Sequence, residues 1–98
     1  MLLARVVGTV VSTQKDERLQ GLKFLVLQRL DINAHLENGY VVAIDAVGAG
    51  VGEVVMYASG SSARQTELTD KRACDAVIMG IVDTWEVDGQ IKYHKGGE

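Results

Sequence analysis

The sequence predicts an all-β domain, a small barrel or sandwich, on three observations. First, eleven glycines and no proline leave Gly, Asn and Asp to make the chain reversals. Second, the segments between those reversals are short, apolar and rich in β-branched residues, with period-two alternation. Third, only 5% of residues are aromatic, so the core is built from Val, Ile, Leu and Ala. Many short strands joined by glycine turns form barrels or sandwiches.

The first strand is Leu2 to Val11. Both alternating sets are largely apolar: Leu2, Ala4, Val6, Gly8 and Val10 on one, Leu3, Arg5, Val7, Thr9 and Val11 on the other. A strand apolar on both faces is buried on both faces, and in a small domain another subunit can cover the second. Ser12 to Gly21 is a solvated loop carrying Gln14-Lys15-Asp16-Glu17-Arg18. Leu22 to Leu30 is the second strand. Asp31 to Gly39 reads as a loop closed by Asn38-Gly39, and Tyr40 to Ala46 as the third strand. A glycine run, Val47-Gly48-Ala49-Gly50-Val51-Gly52, separates it from a fourth strand, Glu53 to Ala58. Ser59 to Gln65 suits a capped helical turn, and Glu67 to Asp75 is charged and irregular. Ala76 to Val87 reads as one long strand. Asp88-Gly89 is a two-residue hairpin signal that returns Gln90 to Tyr93, and His94 to Glu98 is a frayed tail.

At 98 residues the chain is the size of one domain, and a core this small often gains burial by oligomerising. Ten basic and thirteen acidic residues give a net charge of −3, with Lys71-Arg72 the adjacent basic pair. This balance argues against a phosphate-binding face. Cys74 stands alone, so no internal disulfide forms. The opening residues lack a basic leader with a long apolar run, and no stretch approaches the ~18 apolar residues of a membrane helix. A cytosolic compartment is expected.

The glycine run resembles a phosphate cradle without meeting its requirements. A dinucleotide loop needs G-x-G-x-x-G opening a helix. Here the spacing is G-x-G-x-G from Gly48 to Gly52; Glu53 stands where the third glycine belongs, and a strand follows. A tight turn or a close backbone approach explains the glycines. Asp45, inside a strand just before the turn, requires hydrogen-bond partners, and the backbone N–H groups of the turn would supply them. His35, His94 and Cys74 show no metal-ligand spacing. Ser61, Ser62 and Arg64 form a polar cluster without a histidine base, suited to projecting an arginine to a partner. Trp85 fits either an anchor between chains or a core or edge position.

Taken together, several segments resemble a known family. They are the opening Met1-Leu2-Leu3-Ala4-Arg5-Val6-Val7-Gly8-Thr9-Val10-Val11, Gly21-Leu22-Lys23, and Gln28-Arg29-Leu30-Asp31. They continue with Ala43-Ile44-Asp45-Ala46-Val47-Gly48-Ala49-Gly50-Val51-Gly52-Glu53, Ser59-Gly60-Ser61-Ser62-Ala63-Arg64, and Asp75-Ala76-Val77-Ile78-Met79-Gly80-Ile81-Val82-Asp83. In order and spacing these resemble the vertex-protein family of bacterial microcompartments, which includes the ethanolamine-utilisation and carboxysome pentameric shell proteins. The resemblance implies an OB-like five-stranded β-barrel with a short helical element, assembling as a cyclic pentamer. It implies a vertex domain over residues 1–87 and a C-terminal hairpin and tail over 88–98. It implies a structural, non-enzymatic role without cofactor, in the shell, in the bacterial cytoplasm. The partners implied are other copies of the chain and hexameric shell proteins, not nucleic acid or membrane. Where members often carry a proline before the last long strand, this chain has Ala73-Cys74-Asp75, which predicts a looser start there.

A ring interface is heterologous, so each subunit hides two different patches. On this reading Gly48, Ala49, Gly50, Val51, Gly52 and Glu53, with Ser61, Ser62 and Arg64, lie at inter-subunit or axial positions, and Val7 and Trp85 are candidate interface residues. The alternative function is an OB-type single-stranded nucleic-acid-binding module, which stacks bases on aromatics over a basic groove.

Overall fold

The computed structural model describes residues 1–12, 17, 21–60 and 76–97. Five strands close a barrel in the order β1-β2-β3-β5-β4, with β4 returning to β1. They are β1 (Leu2–Val10), β2 (Phe24–Leu30), β3 (Leu36–Asp45), β4 (Val54–Ser59) and β5 (Ala76–Ile81). All pairings are antiparallel except β3 with β5, which run parallel through Ile44↔Val77 and Asp45↔Ile78. This is the five-stranded Greek-key barrel of the OB type, as the resemblance implied. A separate two-stranded hairpin, β6 (Thr84–Val87) and β7 (Gln90–His94), follows. No α-helix occurs among the described residues. The helical turn expected at 59–65 and the start at Ala73-Cys74-Asp75 lie almost wholly outside them.

The interior follows from alternation. Ala4 and Val6 of β1, Leu25 and Leu27 of β2, Ala43 of β3, Val55 and Tyr57 of β4, and Ile78 of β5 form one buried cluster. Each fully buried leucine contributes about 1.5–3 kcal/mol. Burial raises the Tyr57 hydroxyl's pKa above its ordinary value, against the opposing pull of Arg29. The other face of β1 is divided. Leu3 packs with Leu30, Val54 and Val82 against Trp85 and Tyr93 of the hairpin, whereas Val7 is exposed. The apolar second face of β1 is therefore partly covered by the chain's own C-terminal hairpin.

Three expectations fail here. Asn38-Gly39 is not a turn: it lies inside β3, whose pairing with β2 runs on to Leu30↔Leu36. The reversal occurs earlier, where Asp31 Oδ1 accepts the N–H groups of Asn33 and His35 at 2.8 and 2.9 Å. Ala34 completes it at φ 66°. Gly39 instead leaves room for the Arg29 guanidinium, which lies against it. Nor is Ala76 to Val87 one strand. β5 ends at Ile81, Val82 donates its N–H to the Val54 carbonyl at 2.8 Å, and the chain then leaves the barrel to form β6. Asp88-Gly89 does close the hairpin, both residues at positive φ, 53° and 80°, as a type I′ turn requires. The tail is tied rather than frayed at Lys95, whose N–H reaches the Asp83 carbonyl at 2.8 Å.

Candidate functional site

The glycine turn between β3 and β4 is built by the carboxylates that flank it. Asp45 ends β3 with its side chain 2% exposed. Its Oδ1 accepts three successive backbone N–H groups: Val47 at 3.0 Å, Gly48 at 3.0 Å and Ala49 at 3.2 Å. The capping expected for this residue is thus present. Its Oδ2 faces Lys23 Nζ at 3.7 Å, and the same ammonium donates to the Ala49 carbonyl at 3.2 Å. On the far side, Glu53 Oε1 accepts the Gly50 N–H at 2.7 Å, while Oε2 pairs with Lys95 Nζ at 2.9 Å. The Lys95 ammonium and then the Gly50 amide hold the Glu53 carboxyl below its ordinary range; Glu53 in turn raises Lys95.

Gly48 and Gly52 sit at φ 80° and 94°, where a side chain is strained. The turn is also fastened to β1. Gly52 donates to the Val6 carbonyl and Val6 to the Glu53 carbonyl, both at 2.8 Å, and Arg5 Nη1 reaches the Gly52 carbonyl at 2.9 Å. Ala49 is buried, whereas Val47 and Val51 stand out to solvent. The amides of Val47, Gly48, Ala49 and Gly50 are occupied by the chain's own carboxylates, so the turn is a rigid projection rather than a phosphate cradle.

The candidate residues divide by position. Gly48, Ala49, Gly50, Val51, Gly52 and Glu53 form this one turn. Val7 lies on the β1 bulge directly after Val6, which is bonded to the turn. Trp85 is elsewhere, on the hairpin: it stacks on Tyr93 with centroids 5.1 Å apart and donates Nε1–H to the Ile32 carbonyl at 2.9 Å. Ser61, Ser62 and Arg64 lie outside the described residues. Lys23 and Lys95, which complete the turn, carry no local sequence signal, because their partners are 22 and 42 positions away.

Among the described residues, no three His, Cys, Asp or Glu side chains converge on a metal-sized site. The aromatic residues do not share a face. Tyr57 is in the core, Phe24 packs beside Ile44, Ala58 and Val77, Trp85 and Tyr93 stack on each other, and Tyr40 is exposed.

The family model described as ethanolamine utilisation protein EutN/carboxysome matches residues 1–83. The chain is 47% identical over 95 residues to the carboxysome shell vertex protein CcmL of Gloeobacter violaceus, covering 97% of this chain and 95% of that protein. It is 49% identical over 86 residues to the microcompartment shell vertex protein GrpN of Rhodospirillum rubrum, covering 88% and 97%. The solved structure of the Gloeobacter CcmL superposes with a TM-score of 0.93, covering 97% of this chain and 98% of that one. The structure of GrpN, named there as a pentameric microcompartment shell protein, superposes with a TM-score of 0.81 over 89% of this chain and all of that one. The chain belongs to the EutN/CcmL family of bacterial microcompartment shell vertex proteins, a structural and not an enzymatic family.

Proposed function

We propose that this chain assembles as a cyclic homopentamer that caps the fivefold vertices of a polyhedral microcompartment shell in the bacterial cytoplasm, seated among hexameric shell proteins. The observation that carries this is the match along nearly the whole chain, in sequence and in barrel geometry alike, to vertex proteins that include a pentamer. The physical reason is closure. A flat layer of hexagonal tiles cannot enclose a volume, and a ring of five supplies the missing curvature. The proposal includes the glycine turn and the Ser61, Ser62 and Arg64 segment at inter-subunit or axial positions. A turn held rigid by Asp45 and Glu53 supports that placement, since its conformation is fixed before any neighbour arrives. A division into a vertex domain over 1–87 and a tail over 88–98 belongs to the same proposal; bearing on it are a family match ending at residue 83 and a hairpin beginning at Thr84.

Nucleic acid is not among the proposed partners. A single-strand binder needs a row of exposed aromatic faces over a basic groove. Here four of the five aromatics are packed, and Arg5, Lys23 and Lys95 are spent on Gly52, Asp45 and Glu53. The test is co-expression with a hexameric shell protein: closed polyhedral particles should need this chain, and open sheets or tubes should form without it. Closed particles of equal yield in its absence would overturn the vertex role.

A further inference from the structure

We infer that the C-terminal hairpin is a hinged strap: it opens about Asp83 as a unit while the barrel stays folded, and when seated it couples the two connections at the ends of β3. Each chain carries the whole device, whatever the number of copies in the assembly.

The hairpin is an appendage by construction. β6 and β7 pair with each other and with no barrel strand. From Thr84 to Gly97 no residue is buried, whereas every barrel strand carries buried side chains. A two-stranded hairpin is marginally stable by itself in water, so its order depends on its seat. That seat is small. Trp85 and Tyr93, stacked on each other, pack on Leu30, Val54 and Val82, as Leu3 does. The root is narrow as well. The Val82 N–H is still held by the Val54 carbonyl, and Asp83 is the exposed residue between that bond and β6. Closure of the barrel does not involve the hairpin, because β4 pairs with β1 and β5 without it. A segment with few buried apolar contacts opens at far lower cost than the fold as a whole.

Polar bonds reach from the hairpin to both ends of β3. Trp85 donates Nε1–H to the Ile32 carbonyl, in the reversal that leads into β3, at 2.9 Å. Lys95 closes the hairpin root by donating its N–H to the Asp83 carbonyl. Its ammonium stands 2.9 Å from Glu53 Oε2, and Glu53 Oε1 accepts the Gly50 N–H in the turn that follows β3. The glycine turn is therefore held in two ways. Its Val47 to Ala49 part is capped from within the barrel by Asp45. Its Gly50 part is capped by a carboxylate whose counterion rides on the strap. Opening the strap removes Lys95 from Glu53 and the indole from Ile32 in one event. The Asp45 cap and the bonds of Gly52 and Glu53 to Val6 stay in place.

The test is amide hydrogen exchange of the full chain, read residue by residue by NMR. In wild type the hairpin amides from Trp85 to Lys95 should exchange at least about ten-fold faster than those of Leu25 and Leu27 in the core. Trp85→Ala with Tyr93→Ala unseats the strap. The Gly50 amide should then exchange about three-fold faster, the scale of one partly exposed ion pair, and the Ala49 amide should not change. Lys95→Gln should reproduce that change at Gly50 while the hairpin amides keep their rates. The three substitutions together should move Gly50 no further than Lys95→Gln alone, because unseating acts on Gly50 only through Lys95. The Leu27 amide is the internal check on folding; where the double-alanine variant fails it, Trp85→Leu alone takes its place, with the same ordering expected. Hairpin amides exchanging at the Leu27 rate, a Gly50 amide unmoved by unseating, or additive effects at Gly50 would overturn the strap. So would hairpin exchange that slows as protein concentration rises, since a neighbouring copy and not the seat would then hold it.

Discussion

Replacing Asp45 with alanine removes the acceptor of three backbone N–H groups at once. The groups are not equal. Val47 and Gly48 are exposed, so water replaces the carboxylate there and little net stability is lost. The Ala49 amide is buried, and a buried donor left without a partner costs about 1–3 kcal/mol. Lys23 also loses a partner, but at 3.7 Å and more than half exposed that adds a few tenths at most. The sum for Asp45→Ala is about 1–3.5 kcal/mol. Asp45→Asn keeps the Oδ1 acceptor and removes only the charge, so it should cost about 1 kcal/mol. The assay is urea denaturation followed by Trp85 fluorescence at one fixed protein concentration, because self-association adds to apparent stability. If asparagine were as damaging as alanine, the ion pair with Lys23 rather than the amide cap would hold the turn. A loss below about 0.5 kcal/mol for alanine would refute the reasoning altogether.

Glu53 and Lys95 make the turn's other end pH-dependent. Glu53 titrates below its ordinary value of 4.5, so its contribution is present above that value and lost as pH falls through the depressed one. Lys95 titrates above its ordinary 10.5, so its share is complete below that value and lost as pH rises through the raised one. The Gly50 amide resonance should therefore shift in acid, and in Lys95→Ala that transition should move to higher pH; an unchanged midpoint would show that Lys95 does not hold Glu53. Ala34→Gly should raise stability by about 0.5 kcal/mol, since relief of left-handed strain outweighs the entropy glycine adds. Thermal melting tests this, and Ala34→Val should move the midpoint the opposite way. Trp85→Phe keeps the stack on Tyr93 and loses one exposed hydrogen bond, costing about 0.5–1 kcal/mol. Trp85→Ala removes the hairpin's seat on Leu3, Leu30 and Val54, costing about 2 kcal/mol, and protease cleavage near residue 83 should accelerate.

The strands were legible wherever local pattern decides them. β1, β2 and β4 fall within two residues of their expected limits, because alternation places Ala4, Val6, Leu25 and Leu27 inside. The Asp45 cap was legible for a similar reason: a carboxylate in a strand next to free turn amides has one economical solution. Elsewhere the outcome depended on distant residues. Asn38-Gly39 carries a strong turn signal, but the β2 pairing overrides it and the Arg29 side chain uses the space above Gly39. The reversal that replaces it uses Ala34 at positive φ, which composition does not announce. Nothing in Ala76 to Val87 marks the exit from the barrel after Val82, because that exit is set by where β4 ends and the hairpin finds Leu3 and Leu30. Glu53, read from sequence as an obstacle to phosphate, is the acceptor that completes the turn. Lys95, in an apparently featureless tail, is its counterion.

The central claim is that this barrel exists as a ring of five, and mass in solution tests it most directly. Native mass spectrometry of the full chain at micromolar concentration should show one dominant species of five times the 10.6 kDa protomer. A persistent monomer, or a dimer that does not grow with concentration, would contradict it.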